Sequence, residues 1–404
     1  MASTRLQNPA SGATVSDERK KMTFSFWVKR SKISSGDHVL VEGRSSGSYF
    51  SHVMFNSDDY LRVRQYANGS SDFYYQTNRR FRDTNAWYHI VVGIDTNNST
   101  VNDRIKIWVN GVRETSFSTS TQPNTNLSTY FGMTNGGDGY PMYIGDDGAG
   151  GKYFDGVMAD VYGVGNQQYD ASVFGETDST TGEWKPITNP TISYGTGVAG
   201  NFHLKFDDTS NFGKNSATGF TSNHWSVSNG TMTKTEDNPS NVFATWNPLD
   251  NYYASSTFGS GNTGLDSGGS SIETWNTSTL AASSGKYYFE LKHNGGSATP
   301  YRQLVGITQS PTTSASAQLG STSTSWGYYD NTGYVRNNNS NISWSGNTWT
   351  QNDIIGVAMD LDNNRLFFSK NGTWQNSADP TTSTGAITIT AGTYFFAWGD
   401  ATTH

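Results

Sequence analysis

Apolar and polar residues alternate along most of this chain with a period of two, the spacing of a strand that buries one face. Met22 to Lys29 reads this way, as do Val39 to Glu42 and Tyr60 to Arg64, with Asp58 and Asp59 at the turn between strands. No segment sets Ala, Leu, Glu and Lys at 3.6-residue spacing, so helix is a minor component. One hairpin pattern is written twice. Trp87 to Asp95 leads through a polar turn to Arg104 to Gly111, and Asp353 to Asp360 leads through Leu361 to Asn364 to Arg365 to Gly372. Each copy ends its first strand on Asp and its second on Asn-Gly, a pair that tolerates positive φ at a further tight turn. Two such units far apart predict an all-β protein of two antiparallel, jelly-roll-like β-sandwich domains.

Turn residues place the boundaries. Residues 1–170 read as the first sandwich and 246–404 as the second. The stretch 171–245, with Asp178 to Pro186 and Asn189-Pro190 as turns and Asn201 to Phe206 as a strand, reads as an ordered connector with a few strands.

Composition narrows the class without changing it. The chain has 404 residues, 14 % aromatic, 33 % hydrophobic and 44 Gly, a balance of short strands and many turns. Its formal net charge is −7, from 27 basic and 34 acidic residues, which argues against nucleic acid as a partner because phosphate neutralisation needs concentrated cation. Lys20-Lys21 and Arg79 to Arg82 are short basic groups that read as solvated charges. Cysteine is absent, so there is no disulfide framework or thiol nucleophile. Met1 to Lys21 lacks the apolar core of a secretory signal, and no run of about 18 apolar residues marks a membrane span. A surface rich in Asn, Ser, Thr, Gly and Tyr suits a particle released by lysis, made in a host cytoplasm and exposed afterwards.

Four pieces carry a resemblance in the first region: Phe24 to Val28, Trp87 to Ile90, Ile107 to Gly111 and Phe154 to Val161. Together they resemble laminin-G-like, concanavalin A-type sandwiches over about residues 15–170. The last region carries Gly285 to Glu290, Val305 to Ile307, Gly356 to Asp360 and Leu366 to Gly372. This ordered set resembles a SPRY domain, which implies a bent sandwich that binds protein partners through loops. That family adds closing material beyond the position of Tyr394 to Ala397, so the resemblance implies a longer polypeptide. The pairing of the two resembles structural and appendage proteins of tailed phages. It implies a virion protein, a tail fibre or other appendage mediating host attachment by glycan or protein binding. The partners implied are other virion proteins and a host-surface glycan or protein, with a homo-oligomer, a trimer first, and no membrane insertion. A capsid decoration or fibre scaffold that binds only virion proteins is the alternative.

Candidate chemistry is sparse. Gly43 to Gly47 matches Gly-x-Ser-x-Gly, yet it leads into an alternating strand rather than the helix that a nucleophile elbow requires. The Glu residues stand apart, so the paired carboxylates of a glycan hydrolase are not evident and the protein reads as a non-enzyme. His89, inside an apolar strand, reads as a hydrogen-bonded structural residue. Asp138, Asp146, Asp147 and Asp155 bracket Gly-rich loops where carbonyls could converge on calcium. Laminin-G-like domains carry calcium near such loops, and turn-forming aspartates are the competing reading. No cofactor is required. Aromatics assigned to loops, Tyr74, Tyr75, Tyr140, Tyr153, Tyr301, Trp326, Tyr329 and Tyr334, could stack on sugars or anchor a partner. With the chain acidic overall, such stacking predicts binding that changes little with salt.

Overall fold

The alternating segments become strands whose apolar side faces a partner sheet. The computed structural model describes residues 4–8, 19–131, 141–196, 200–252, 256–267, 273–295, 302–312 and 314–400. The chain divides into two compact units, Met1–Phe243 and Ala244–His404.

The first unit opens with β1 (Arg5–Gln7), β2 (Lys21–Arg30), β3 (His38–Ser46), β4 (Tyr49–Phe55), β5 (Tyr60–Ala67) and β6 (Ser70–Arg80). It continues with β7 (Trp87–Asp95), β8 (Ile105–Val109), β9 (Val112–Arg113), β10 (Phe117–Thr121), β11 (Met142–Ile144) and β12 (Gly156–Gly165). Four short strands follow, β13 (Gly175–Thr177), β14 (Trp184–Pro186), β15 (Phe202–Leu204) and β16 (Ser226–Ser228). An eight-stranded sheet runs β10-β6-β5-β4-β3-β11-β1-β16, and a six-stranded sheet runs β15-β12-β2-β7-β8-β9. Phe24, Phe26, Val41, Val53, Phe55, Leu61, Val63, Ile90, Val92 and Ile107 fill the core between them. Phe202, Leu204 and Trp225 complete that core, so residues beyond 170 are part of this unit's interior.

The outer face of the six-stranded sheet is covered. Val91, Trp108, Tyr162 and Val164 pack under Ala171 and Phe174, with Tyr169, Trp184 and Tyr194 against them. His89 stacks on Trp27 with ring centroids 4.5 Å apart, bonds Ser25 Oγ at 2.8 Å and accepts from Trp184 Nε1 at 2.9 Å. Burial pushes its pKa down to about 3, so the ring is a neutral structural element. Lys29, also on this face, pairs with Asp237 at 2.7 Å, both side chains being nearly inaccessible. Asp59 anchors the β4–β5 end. It accepts from Ser34 N and Oγ at 2.8 Å and pairs with Arg30 at 3.0 Å and Arg82 at 2.8 Å.

The second unit holds β17 (Thr257–Gly259), β18 (Gly264–Asp266), β19 (Thr274–Ala282), β20 (Lys286–Lys292), β21 (Gln303–Thr308), β22 (Ser325–Tyr329) and β23 (Val335–Asn337). Then come β24 (Ser340–Asn341), β25 (Ile354–Asp360), β26 (Arg365–Lys370), β27 (Thr373–Trp374), β28 (Ile387–Thr388) and β29 (Tyr394–Asp400). A six-stranded sheet, β19-β29-β21-β22-β23-β24, and a second sheet ordered β20-β25-β26-β27, with β28 on β26, enclose Val305, Ile307, Trp326, Tyr328, Trp344, Trp349, Val357 and Phe368. The protein is thus nearly all-β, in antiparallel sheets. Two three-residue 3-10 turns, Val101–Asp103 and Ala171–Val173, are the helical segments among the described residues, and none is long and apolar enough to cross a membrane.

Candidate functional site

Strand alternation that puts Val41, Val53, Val63 and Tyr75 inside puts their neighbours on the outer face of the eight-stranded sheet. Cross-strand register turns those neighbours into rows. One row runs Gln7, Tyr143, Glu42, His52, Arg64, Tyr74 and Thr121 across β1, β11, β3, β4, β5, β6 and β10. A second sets Arg44 beside Phe50 and Phe50 beside Tyr66, and a third sets Met54, Arg62 and Gln76 side by side. Between Glu42 and Arg44, Gly43 points inward, where the Tyr130 carbonyl leaves no room for a Cβ.

The face has two ends of different character. At one, Tyr143, Glu42 and His52 are buried, with the 145–152 loop against them: a Cβ on Gly148 would strike the Tyr143 ring, and Lys152 Nζ lies 5.9 Å from the Phe50 centroid. At the other, Arg62, Arg64, Tyr66, Tyr74 and Gln76 are half-buried. There the Arg64 guanidinium lies 4.6 Å from the Tyr66 ring centroid and 5.4 Å from that of Tyr74, and Arg62 lies 5.5 Å from Tyr74. Arg62 donates to Gln76 Oε1 at 3.3 Å and Arg64 to Ser71 Oγ at 2.8 Å.

Burial sets the protonation states at the closed end. It pushes the Glu42 carboxyl up to about 8, although Arg44 Nε lies 3.1 Å away, so Glu42 is mostly protonated at neutral pH. Burial first, then the charges of Lys152, Arg62, Arg64 and Arg44, hold His52 well below the ordinary imidazole value. The contact of His52 Nδ1 with Glu42 Oε2 at 3.6 Å is therefore between neutral groups. Glu42 Oε1 and Arg44 Nε have each other at 3.1 Å, while both His52 nitrogens, Arg62 Nε and Asp146 Oδ1 are buried without a hydrogen-bond partner. A buried polar atom without a protein partner leaves a hydrogen-bonding position that water or a ligand can fill.

Of the aromatics assigned to loops from sequence, Tyr74 lies instead on β6 and belongs to this face. Tyr75 is a correction: it lies on β6 rather than a loop, alternates inward and hydrogen-bonds Gln122. Trp326 is another, on β22 and packed against Tyr394 in the second core. Tyr153 is half-buried beside the Gly150 turn, Tyr329 is half-buried on β22, and Tyr334 is exposed in the turn before β23. Tyr140, Tyr301 and Asp138 lie outside the described residues. Asp146 pairs with Arg5 at 2.8 Å and accepts from Gly148 N, while Asp147 accepts from the amides of Ala149 and Gly150. Burial raises the Asp155 pKa. Among the described residues no group of three or more acidic or His side chains converges as a metal-ligand set. The Gly43 to Gly47 motif spans the end of β3 and its hairpin into β4.

A pocket of about 480 Å³ is lined by Lys106, Trp108, Gly111, Arg113, Gln168, Asp170, Ala171 and Ser172. Its polar groups are already engaged: Lys106 and Arg113 with Asp103, Gln168 with the Asp103 carbonyl, Asp170 with Ser172.

Residues 6–163 match the concanavalin A-like lectin/glucanases superfamily and residues 286–386 match the SPRY domain. No curated protein matches the chain. Among solved structures, the SPRY domain of human HERC1 is similar at 16 % identity over 35 % of this chain and 81 % of that chain, with a TM-score of 0.28. A protein of Bacteroides ovatus described as carbohydrate binding is similar at 17 % identity over 58 % of each chain, with a TM-score of 0.38. The matched domains are lectin-like and binding folds.

Proposed function

We propose that this chain is a non-catalytic binding protein that holds a surface glycan on the outer face of the eight-stranded sheet. The observation that carries the reading is that face itself, where half-buried Tyr66, Tyr74 and Arg64 adjoin buried polar atoms without partners. Aromatic rings bind sugar faces by stacking, and aligned polar groups take the hydroxyls. Glu42 supplies one carboxyl, but its acidic neighbours Asp146 and Asp147 are held by Arg5 and by loop amides. Hydrolysis of a glycoside needs two working carboxylates. The setting we propose is a tailed-phage particle, with the chain in a tail fibre or other appendage as a homo-oligomer, a trimer first. The pairing of the two sandwiches supports it, and repetition of weak sites would sum to firm attachment. A scaffold role is the second reading, favoured by Tyr287 and Tyr288, 46 % and 51 % exposed on the edge strand β20.

The test is affinity electrophoresis of the full chain against neutral and acidic polysaccharides. Retardation that disappears in Tyr74→Ala and Tyr66→Ala, with the thermal transition kept, is expected. No retardation by any polysaccharide overturns glycan binding.

A further inference from the structure

Arg62 and Arg64 stand two residues apart on one face of β5, and among the described residues neither has a carboxylate within ion-pair distance. Two other cations at this face are compensated, Arg5 by Asp146 at 2.8 Å and Lys152 by Asp37 at 3.9 Å. Arg44 adjoins Glu42, which is mostly neutral and cancels little of its charge. The Arg64 pKa is lowered by burial and next by the charge of Arg62, so the two guanidiniums disfavour each other. They persist because Tyr66, Tyr74, Gln76 and Ser71 hold them. The protein has therefore concentrated uncompensated positive charge, framed by two tyrosine rings, on a chain whose net charge is −7.

We infer that the glycan held on this face is an acidic one, a polysaccharide bearing carboxylate or sulfate groups, whose anion is gripped by Arg62 and Arg64 while Tyr66 and Tyr74 stack on the adjoining sugar rings. This rests on the glycan-binding reading and names its ligand class. A guanidinium offers a planar fork that matches a carboxylate or sulfate, and a charge-assisted pair is stronger than a neutral hydrogen bond. An extended nucleic acid fits less well, because a phosphate at every residue needs a track of cations. Here the positive charge is confined to neighbouring positions of one strand, and Asp146 and Asp147 lie beside Glu42 at the closed end of the face. The inference departs from the salt-insensitive binding expected of the acidic sequence, since local charge rather than net charge governs the contact.

The experiment uses the full chain against polygalacturonate, its methyl ester and a dT30 oligonucleotide, by calorimetry in low and high salt. Polygalacturonate is expected to bind, to weaken as NaCl rises from about 0.05 to 0.5 M, and to lose about tenfold or more affinity in Arg62→Gln and in Arg64→Gln. Arg64→Lys should recover part of the loss and Arg79→Gln, an exposed cation off this face, should lose nothing. Should a Gln variant fail to keep the wild-type melting transition, the Lys variant and the salt series carry the test. Equal affinity for the methyl ester, without salt dependence, overturns the acidic class and leaves glycan binding standing. Salt-sensitive binding that ignores both Gln variants overturns the site. Tighter binding of dT30, lost in the same variants, replaces the polysaccharide with nucleic acid. Failure of both polysaccharides to bind overturns the acidic class, and retardation of the chain by any other polysaccharide shows whether glycan binding falls with it.

Discussion

Asn110 and Asn371 have the same role in the two units. Each adopts positive φ, 49° and 50°, and each is followed by a glycine at 79°. Each side-chain oxygen accepts from the backbone N–H of a residue at the start of the hairpin, His89 at 2.7 Å and Ile354 at 2.8 Å. The repeated Asn-Gly is therefore a turn lock, and its geometry explains why the pattern recurs. The two glycines differ in what lies above them. Gly111 has the Trp184 ring 2.6 Å from where a Cβ would sit, while Gly372 faces open space. Gly372→Ala is expected to cost about 1 kcal/mol, the strain of a side chain at positive φ. Gly111→Ala should cost about 1–3 kcal/mol more, since Trp184 must move. Calorimetric melts of the two variants check this, and equal shifts would contradict the close approach of Trp184.

At the scale of the element, β3, β4 and β5 convert sequence alternation into a chemical surface. The strands themselves were legible, because Tyr60 to Arg64 alternates openly. The face they build was not, because cations at every second residue do not read as a cluster. It emerges only when register sets His52 beside Arg64 and Arg64 beside Tyr74. Tyr74 and Tyr75 differ for the same reason: without register, adjacent tyrosines on β6 look equivalent, although Tyr75 faces the core. Burial of Glu42 on β3 has a consequence for stability. The groups facing it are Arg44 on its own strand, His52 on β4, Tyr143 on β11, and Asp146, Asp147 and Lys152 from the loop. Its folded-state pKa of about 8 exceeds that of the unfolded chain, so the folded state retains a proton that the unfolded state releases. This leaves stability unaffected below the unfolded carboxyl pKa, erodes it as pH rises from there, and completes the loss above about 8. Glu42→Gln should therefore match the wild type at low pH and melt higher above pH 8, by at least about 2–4 °C. A difference between the two that stays constant with pH would show that Glu42 ionises normally.

At the scale of the whole molecule, the first unit assigns opposite fates to its two outer faces. The six-stranded sheet carries Trp27, His89, Val91 and Trp108 outward, and residues 169–194 cover them. The eight-stranded sheet carries arginines and tyrosines outward, and half-buried Arg62, Arg64, Tyr66 and Tyr74 remain accessible. Turn-rich composition between 171 and 245 says little about this, since Trp184, Phe202, Leu204 and Trp225 are scattered and their partners lie far away in sequence. Their burial makes residues 171–243 part of the first unit's stability: they fill the core, add β15 and β16 to the two sheets and pair Asp237 with Lys29. A chain ending at 243 should therefore fold with one cooperative transition and keep the polysaccharide-binding face. A chain ending at 170 exposes the aromatic outer face and opens the core at Phe202, Leu204 and Trp225, each worth about 3–5 kcal/mol for a large aromatic side chain and about 2–5 for Leu. Those losses together exceed the stability of an ordinary domain. The shorter chain is expected to aggregate or to lack a near-UV circular dichroism signal, whereas a sharp melt for residues 1–170 alone would show that the later strands only decorate a sandwich already complete.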